Sequence, residues 1–295
     1  MLEKVDLDRS LPKSEYKPRL EWLQERLLDL QNACWKAKVG SILVLEGWDA
    51  AGKGTVVNAL TQRLEPRGFK LYSIQAPRTH EASLPWLWRF WQKLPNYGEM
   101  AIFDRSWYGR VMVERVEKLT PRDQWFAGYQ DIVNFERTLA DDGYVIIKFF
   151  LHISKEEQRR RFKAMEKDPM NAWHVQPEDW EHHKKYNKYL RATEEMFART
   201  ETEWAPWTIV EATDLRWARV KIFETIARNF EEALKLRGQP LPPVPEEADK
   251  HEQAAKEKDR KSAPEAKSAP KQKKAAKNDD KPDNPKPGKS AKGRR

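Results

Sequence analysis

A glycine-rich segment that ends in a lysine is the part of the chain with the clearest capacity for chemistry. Gly47, Gly52 and Lys53 match the spacing G-x-x-x-x-G-K. In loops of this type, backbone N–H groups cradle phosphates and the lysine reaches the outer phosphates. Two positions depart from the usual pattern: Gly54 stands where a hydroxyl normally holds Mg²⁺, and Asp49 adds a carboxylate inside the loop. Phosphate binding is therefore predicted, with an unusual arrangement around the metal.

Asp49 has two interpretations. It could be a turn residue that bonds its own backbone, or it could face a metal ion or orient an attacking phosphate oxygen. A carboxylate in a phosphate loop would repel its ligand, so a cation between them is the natural resolution. Because Gly54 offers no hydroxyl, we favour the second interpretation, in which Asp49 faces the metal or the attacking phosphate.

An apolar run that ends in an acid supplies a second chemical group. Residues 101–103 read Ala-Ile-Phe, and Asp104 and Arg105 follow. A carboxylate at the end of a buried strand is typical of a Walker B segment, where it faces the Mg²⁺–phosphate complex. The adjacent arginine can bind phosphate through two parallel hydrogen bonds.

The elements that must position these residues alternate between apolar strands and helices. Strands are predicted at 42–46, 70–75, 100–104, 145–151 and 207–211. Helices are predicted at 16–38, 53–65, 81–93, 121–139, 155–166, 177–199 and 214–236, with Asp214 as an N-cap. This alternation predicts an α/β fold, a three-layer α/β/α sandwich of the P-loop kinase-like type with a parallel sheet. Ligands of such sheets bind at the carboxyl ends of the strands, where the glycine loop and Asp104 both lie.

The chain divides into three predicted parts. Residues 1–40 carry an N-terminal helix, residues 41–237 form the domain with the phosphate loop, and residues 238–295 form a tail. Within the domain, a helical lid is expected at about 153–200. The first helix presents one apolar face, which could pack on the domain or form an oligomer contact. That face consists of Leu20, Leu23, Leu27, Leu30 and Cys34.

The tail accounts for most of the net charge of +9. Residues 249–295 hold 16 Lys and Arg against 8 Asp and Glu, which leaves a net charge of +1 for the rest of the chain. No aromatic or β-branched residue occurs beyond Val244, so the tail is predicted to be disordered. We expect a solubilising role for it, with electrostatic capture of a polyanion, such as the substrate or, weakly, nucleic acid, as the alternative.

Cysteine use and hydropathy indicate the compartment. The single cysteine, Cys34, excludes an internal disulfide and suits a reducing environment. The start of the chain has no apolar signal region, and no apolar run approaches the ~20 residues that a membrane helix needs. A soluble cytoplasmic protein that does not bind membranes is therefore expected.

Several long motifs resemble the polyphosphate kinase 2 family of P-loop phosphotransferases. They are the phosphate loop at 46–54, the Asp-Arg segment at 103–114, the lid entry at 151–158 and two C-terminal elements at 205–207 and 217–219. The resemblance covers residues 15–237. The Gly-Trp-Asp sequence at 47–49 and the Trp-Tyr-Gly-Arg sequence at 107–110 look most like those of the subgroup that phosphorylates AMP.

The resemblance implies Mg²⁺-dependent phosphoryl transfer between inorganic polyphosphate and a nucleotide, from AMP to ADP, from ADP to ATP, or both. Mn²⁺ is an alternative metal, and a guanine nucleotide is an alternative to an adenine nucleotide. By the same resemblance Lys53 holds the transferring phosphate, Asp49 and Asp104 hold the metal or orient the acceptor, and Arg105 neutralises developing charge. The expected phosphate-binding residues are Gly47, Ala50, Ala51, Gly52, Gly54, Arg110, Arg160 and Arg161. A homo-oligomer is also expected.

The lid helix is strongly basic in its own right. Arg160, Lys163 and Lys167 are spaced three and four apart, so they share a helix face that could guide a polyanion. The alternative is a solvated face paired with Glu156 and Glu157. We expect Arg160 and its neighbour Arg161 to contact phosphate.

Two other functions compete with this one. The first is an ATP-dependent nucleoside monophosphate kinase resembling thymidylate kinase, which also joins an acid-bearing phosphate loop to an Asp-Arg pair. The second is a non-catalytic P-loop module whose tail contacts nucleic acid. A zinc site at His182 and His183 is not expected, because neighbouring histidines lack the i, i+4 spacing of helical metal ligands.

Overall fold

The computed structural model of the chain describes residues 2–170 and 172–244. From position 245 onward the predicted tail lies outside these residues, so its disorder stays a prediction. Among the described helices, none is both long and apolar enough to cross a membrane.

Five parallel strands form one sheet in the order β2-β3-β1-β4-β5. The strands are β1 (Ser41–Gly47), β2 (Phe69–Ser73), β3 (Met100–Asp104), β4 (Val145–His152) and β5 (Trp207–Glu211). The apolar side chains of β1 and β3 are almost fully buried, as expected for a parallel sheet covered on both faces. Leu45 lies opposite Asp104 in the register, so the ends of β1 and β3 meet at one edge. The predicted α/β fold is confirmed.

Ten α-helices accompany the sheet within the described residues. They are α1 (Lys13–Lys36), α2 (Lys53–Thr61), α3 (Thr79–Ala82), α4 (Trp88–Trp91), α5 (Val113–Val116), α6 (Arg122–Asp141), α7 (Lys155–Lys167), α8 (Pro177–Lys184), α9 (Tyr186–Thr200) and α10 (Leu215–Leu236). On one side, α10 packs on α1, α2 and β4. In another layer, α6 contacts α9 and β4. The apolar face of α1 is therefore used within the chain, because α1 runs along α10 and buries Leu23, Leu27 and Leu30.

Two predicted helices are each broken into two shorter helices, and the helix predicted at 53–65 ends early, at Thr61. The segment predicted as one helix at 81–93 contains two four-residue helices, α3 and α4, because Pro85 cannot continue a helix. The segment at 177–199 is broken between α8 and α9 at Lys185, which leaves helical geometry and whose ammonium binds Glu117. Asp214 caps α10 as predicted, since its carboxylate accepts the N–H of Arg216.

Candidate active site

The phosphate loop is shaped by two glycines that no larger residue could replace. Gly47 ends β1 at φ 138°, and a Cβ there would lie 2.4 Å from the carbonyl oxygen of Leu151 in β4. Gly52 caps α2 at φ 102°, and its Cβ would lie 2.5 Å from a methyl group of Leu215. The loop therefore packs tightly between β4 and α10, and α2 begins directly at its end. Helix N-termini bind anions, so this placement favours phosphate at the loop.

Lys53 is the first residue of α2 and is 8% exposed. Its Nζ donates hydrogen bonds to the carbonyl oxygens of Gly47 (2.9 Å) and Trp48 (3.0 Å), so the side chain curls back over the loop. Burial lowers the pKa of Lys53, while the charge of Asp49 opposes that shift. An incoming phosphate would compensate the same buried positive charge.

Asp49 is held from two sides. Its Oδ1 accepts a hydrogen bond from Arg105 Nη2 at 2.6 Å, and its Oδ2 lies 3.2 Å from His182 Nδ1. Burial alone would raise the pKa of Asp49. The hydrogen bond with His182 and the charges of Lys53 and Arg105 outweigh burial and hold the pKa well below its usual range. Asp49 is therefore an ionised carboxylate at neutral pH, suited to bind a cation and unsuited to give up a proton.

Asp104 and Arg105 reach the loop from the end of β3. Arg105 adopts a left-handed backbone conformation with φ 64°, which is uncommon for a residue other than glycine. This turn directs its guanidinium to Asp49. Asp104 ends the strand beside Leu45, and its charge acts on both Lys53 and Arg105.

Glu46 adds a third carboxylate beneath the loop. It is 4% exposed and accepts a hydrogen bond from Ser106 Oγ at 2.8 Å. Burial raises the pKa of Glu46 despite that bond and the nearby charge of Lys53. The site thus combines two cationic side chains with two carboxylates whose pKa values shift in opposite directions, down for Asp49 and up for Glu46.

The lid contacts the loop directly in this conformation. Gln158 of α7 donates to the carbonyl oxygen of Asp49 at 3.1 Å. The guanidinium of Arg161 donates to the carbonyl oxygens of Ala50 and Ala51 at 2.9 and 3.1 Å. His182 of α8 also contacts Asp49, so side chains of three lid residues bind the loop.

The three predicted phosphate-binding arginines lie in different surroundings. All five N–H donors of Arg161 bind protein groups, which are Glu157, Ala50, Ala51, Ala212 and Thr213. Arg160 is exposed and pairs with Glu157 through two bonds. Arg110 bonds Thr120 and Glu114 and lies over the ring of Trp86. Their phosphate contacts stay predictions, and for Arg161 such contacts require that the lid first move.

A cavity of about 100 Å³ lies between the loop and the lid. The polar part of its lining includes Glu46, Asp49, Arg105 and His182, and the apolar part includes Met112, Val113 and Phe150. Small-molecule sites usually measure ~300–1,000 Å³. A nucleotide therefore needs a more open lid than this conformation provides.

The donor set around the loop fits a hard divalent cation. Asp49 and Asp104 offer carboxylate oxygens, which together with phosphate oxygens are the ligands that Mg²⁺ prefers. The structure also brings a lid aspartate, Asp179, into the neighbourhood. One ligand atom each from Asp49, Asp179 and His182 lie within 4.8 Å of one another.

Sequence reasoning missed four residues of this site: Glu46, Gln158, Asp179 and His182. His182 was set aside because its spacing to His183 does not suit a metal, yet its partner Asp49 lies 133 residues away in the sequence. The sequence signals for a lid at 153–200 were the resemblance of residues 151–158 to the family's lid entry and the basic, helical character of the segment.

Comparisons with known proteins agree with this geometry. Residues 10–238 match the sequence profile of polyphosphate kinase 2 (PPK2). The chain belongs to the polyphosphate kinase 2 family. Its relatives include the polyphosphate:AMP phosphotransferase of Pseudomonas aeruginosa, which is 42% identical over 235 residues covering 80% of this chain and 47% of that protein. The NDP-polyphosphate phosphotransferase 1 of Ruegeria pomeroyi is 39% identical over 72% of this chain and 70% of its own length.

Solved structures of the polyphosphate kinase 2 family share the fold. The crystal structure of polyphosphate kinase 2 from Arthrobacter aurescens matches with a TM-score of 0.77 at 28% identity, over 87% of this chain and 93% of that chain. The chain spans about half the length of the polyphosphate:AMP phosphotransferases that it matches.

Proposed function

We propose that this protein transfers a phosphoryl group from inorganic polyphosphate to a nucleotide, with AMP as the principal acceptor. The observation that carries the proposal is the meeting of Lys53, Asp49, Asp104 and Arg105 at one edge of the sheet. The names of the relatives support the choice of substrates, since those with 40–42% identity are polyphosphate:AMP phosphotransferases. ADP and guanine nucleotides are secondary acceptors in the proposal.

The proposed reaction joins an oxygen of the AMP phosphate to the terminal phosphorus of polyphosphate. The bridging P–O bond of the polyphosphate breaks, and the chain leaves one phosphate shorter. The attacking oxygen is already anionic at neutral pH, so the step needs no general base. This agrees with the lowered pKa of Asp49, which keeps that carboxylate ionised.

The residues of the site contribute position and charge. Lys53 and the loop N–H groups hold the transferring phosphoryl group, and Arg105 neutralises charge that spreads onto its oxygens. Asp49 orients Arg105 through their 2.6 Å bond. The lid excludes water when it closes over the bound substrates, which favours transfer over hydrolysis.

Mg²⁺ is part of the proposal, with Mn²⁺ as an alternative. When bound, the ion would neutralise phosphate charge and align donor with acceptor. Asp49 and Asp104 are the residues that would hold it. The cytoplasmic location and the homo-oligomer expected from the sequence also remain proposals.

The experiment compares phosphoryl donors. Full-length protein is incubated with AMP and Mg²⁺, once with polyphosphate and no ATP, and once with ATP and no polyphosphate. ADP should form with polyphosphate, and AMP should be used faster than ADP when both acceptors are tested. ADP formation with ATP alone would favour the monophosphate kinase, and no product in either mixture would refute both enzymes.

A further inference from the structure

The lid helix α8 places two potential metal ligands over the phosphate loop. Asp179 and His182 are three residues apart, so they lie on the same face of α8. Together with Asp49 they bring two carboxylates and one imidazole together, with ligand atoms within 4.8 Å of one another. These three residues are called the lid–loop cluster.

The spacing between Asp49 and His182 suits a cation. Asp49 Oδ2 and His182 Nδ1 lie 3.2 Å apart. Two neighbouring ligands of an octahedral ion, each about 2.1–2.2 Å from the metal, are about 3.0–3.1 Å apart. A carboxylate oxygen and an imidazole lone pair repel each other unless a proton or a metal ion lies between them.

The carboxylates of the cluster are already oriented by other groups. Arg105 binds Oδ1 of Asp49, which directs Oδ2 towards the lid. The backbone N–H of Gln176 donates to Oδ2 of Asp179 at 2.8 Å and fixes that carboxylate at the start of α8. Metal-binding carboxylates are commonly held by such outer hydrogen bonds.

Position 54 leaves the loop without one customary metal ligand. The hydroxyl that normally follows the lysine of a phosphate loop is missing, because residue 54 is glycine. A side chain would fit there, since a Cβ on Gly54 would meet no atom within 4 Å. Crowding therefore does not explain the glycine at position 54, and a side chain of the lid can supply the missing metal ligand.

We propose that Asp49, Asp179 and His182 form a divalent cation site that bridges the phosphate loop and the lid, and that it prefers Mn²⁺ or a similar transition metal to Mg²⁺. The preference follows from the imidazole, because nitrogen ligands suit transition metals whereas Mg²⁺ favours oxygen. The ion lies on the Oδ2 side of Asp49 and holds α8 against the loop. The proposal deepens the proposed function, on which it rests for its role in lid closure.

The test is the binding of Mn²⁺ alone to full-length protein, without nucleotide or polyphosphate. Binding is measured by electron paramagnetic resonance, and pulsed measurements detect ¹⁴N coupling from an imidazole bound directly to the ion. The wild type should bind Mn²⁺ with such coupling. His182→Ala should abolish the coupling and weaken binding at least about tenfold.

Two further variants make the result specific. Asp179→Asn should weaken Mn²⁺ binding but keep the ¹⁴N coupling. His174→Ala is the matched control, because His174 is exposed and stacks on Trp173 outside the cluster, and it should bind like the wild type. Thermal unfolding of each variant verifies that it is folded.

The outcomes separate this inference from the proposed function. Mn²⁺ bound without ¹⁴N coupling in the wild type, no Mn²⁺ binding, or coupling that survives in His182→Ala would overturn the lid–loop site. Turnover of AMP with polyphosphate and Mg²⁺ is measured on the same samples. Failure of that turnover alone would refute the proposed function and leave the metal site in place.

Discussion

Two buried lysines of this protein serve opposite purposes. Lys148 in β4 is fully buried, and its three ammonium donors bind Glu136 Oε2 (2.9 Å), Tyr108 Oη (2.9 Å) and the carbonyl oxygen of Thr200 (3.0 Å). Lys53 in the phosphate loop donates only to backbone carbonyl oxygens among the contacts of the described residues. Lys148 is paired with a carboxylate within the core, whereas Lys53 keeps its charge available for a ligand.

The acids around the two lysines differ in the same way. Glu136 is fully buried and also accepts hydrogen bonds from Trp107 and Tyr108. Asp49 shares its two oxygens between Arg105 and the lid residue His182, so its surroundings change whenever the lid moves. The hydrogen bonds of Lys148 and Glu136 lie within the core and stabilise the fold. Those of Asp49 depend on the position of the lid, so they can be exchanged for contacts with a substrate.

The largest effect is expected from Lys53→Ala. Turnover should fall about 10³-fold, because the charge that holds the transferring phosphoryl group is lost. The free energy of unfolding should change by about 1 kcal/mol or less, since the lysine makes no ion pair with any of the described residues. Steady-state kinetics and urea unfolding measure the two quantities, and near-normal turnover would refute the assigned site.

For Lys148→Met we expect a large loss of stability with little change in turnover. The free energy of unfolding should fall by about 3–5 kcal/mol, because Glu136 is left buried without its cation. The Glu136→Gln/Lys148→Met double variant should recover most of that loss, since neutral groups of similar volume replace the pair. Equal or greater instability in the double variant would show that Lys148 stabilises the fold by other means. Turnover per folded molecule should stay close to the wild type.

A smaller effect is expected from pH, through His152. His152 is 4% exposed and its Nδ1 accepts a hydrogen bond from Trp48 Nε1 at 2.8 Å. Burial lowers the pKa of His152 to about 4, against about 6.5 in the unfolded chain. The unfolded state therefore binds the proton first as pH falls, and about 3 kcal/mol of stability is lost between about pH 6.5 and pH 4.

The His152→Asn variant isolates this contribution. Its side-chain oxygen can still accept from Trp48, but it does not titrate in this range. The difference in unfolding free energy between pH 7 and pH 4.5 should therefore be smaller in the variant than in the wild type. An identical pH dependence in both proteins would mean that His152 is not the responsible group.

The smallest effects are expected from two neighbouring arginines of the lid. Arg161→Gln removes bonds to four carbonyl oxygens of the loop and the segment after β5, and should cost about 1–3 kcal/mol of stability. Arg160→Gln removes only an exposed pair with Glu157 and should change stability by about 0.5 kcal/mol or less. Urea unfolding of both variants tests the contrast, which fails if the two losses are equal.

The sequence predicted the strands well because the buried apolar runs of a parallel sheet are continuous and local. Strand β3 and strand β5 have the predicted bounds. The break at Lys185 was missed because its cause is the distant Glu117, which binds the lysine from another segment. Pro85, in contrast, was a local signal that the prediction of a helix at 81–93 overlooked.

The residues of the candidate site also divide into those that follow a local sequence pattern and those that depend on distant contacts. Lys53, Asp104 and Arg105 could be found because each follows a local pattern of strand, loop and charge. His182 and Asp179 could not, because their relation to Asp49 exists only when the lid folds over the loop. Sequence patterns therefore indicated the loop half of the candidate site, and the lid half required the tertiary structure.

The most direct test of the proposed transfer follows labelled phosphate. Polyphosphate carrying ³²P is incubated with unlabelled AMP, Mg²⁺ and the full-length protein, and the products are separated. Label should appear in the β-phosphate of ADP, and the rate should fall about 10³-fold in Lys53→Ala. Label that appears only as inorganic phosphate, or ADP that forms equally fast in Lys53→Ala, would contradict phosphoryl transfer at this loop.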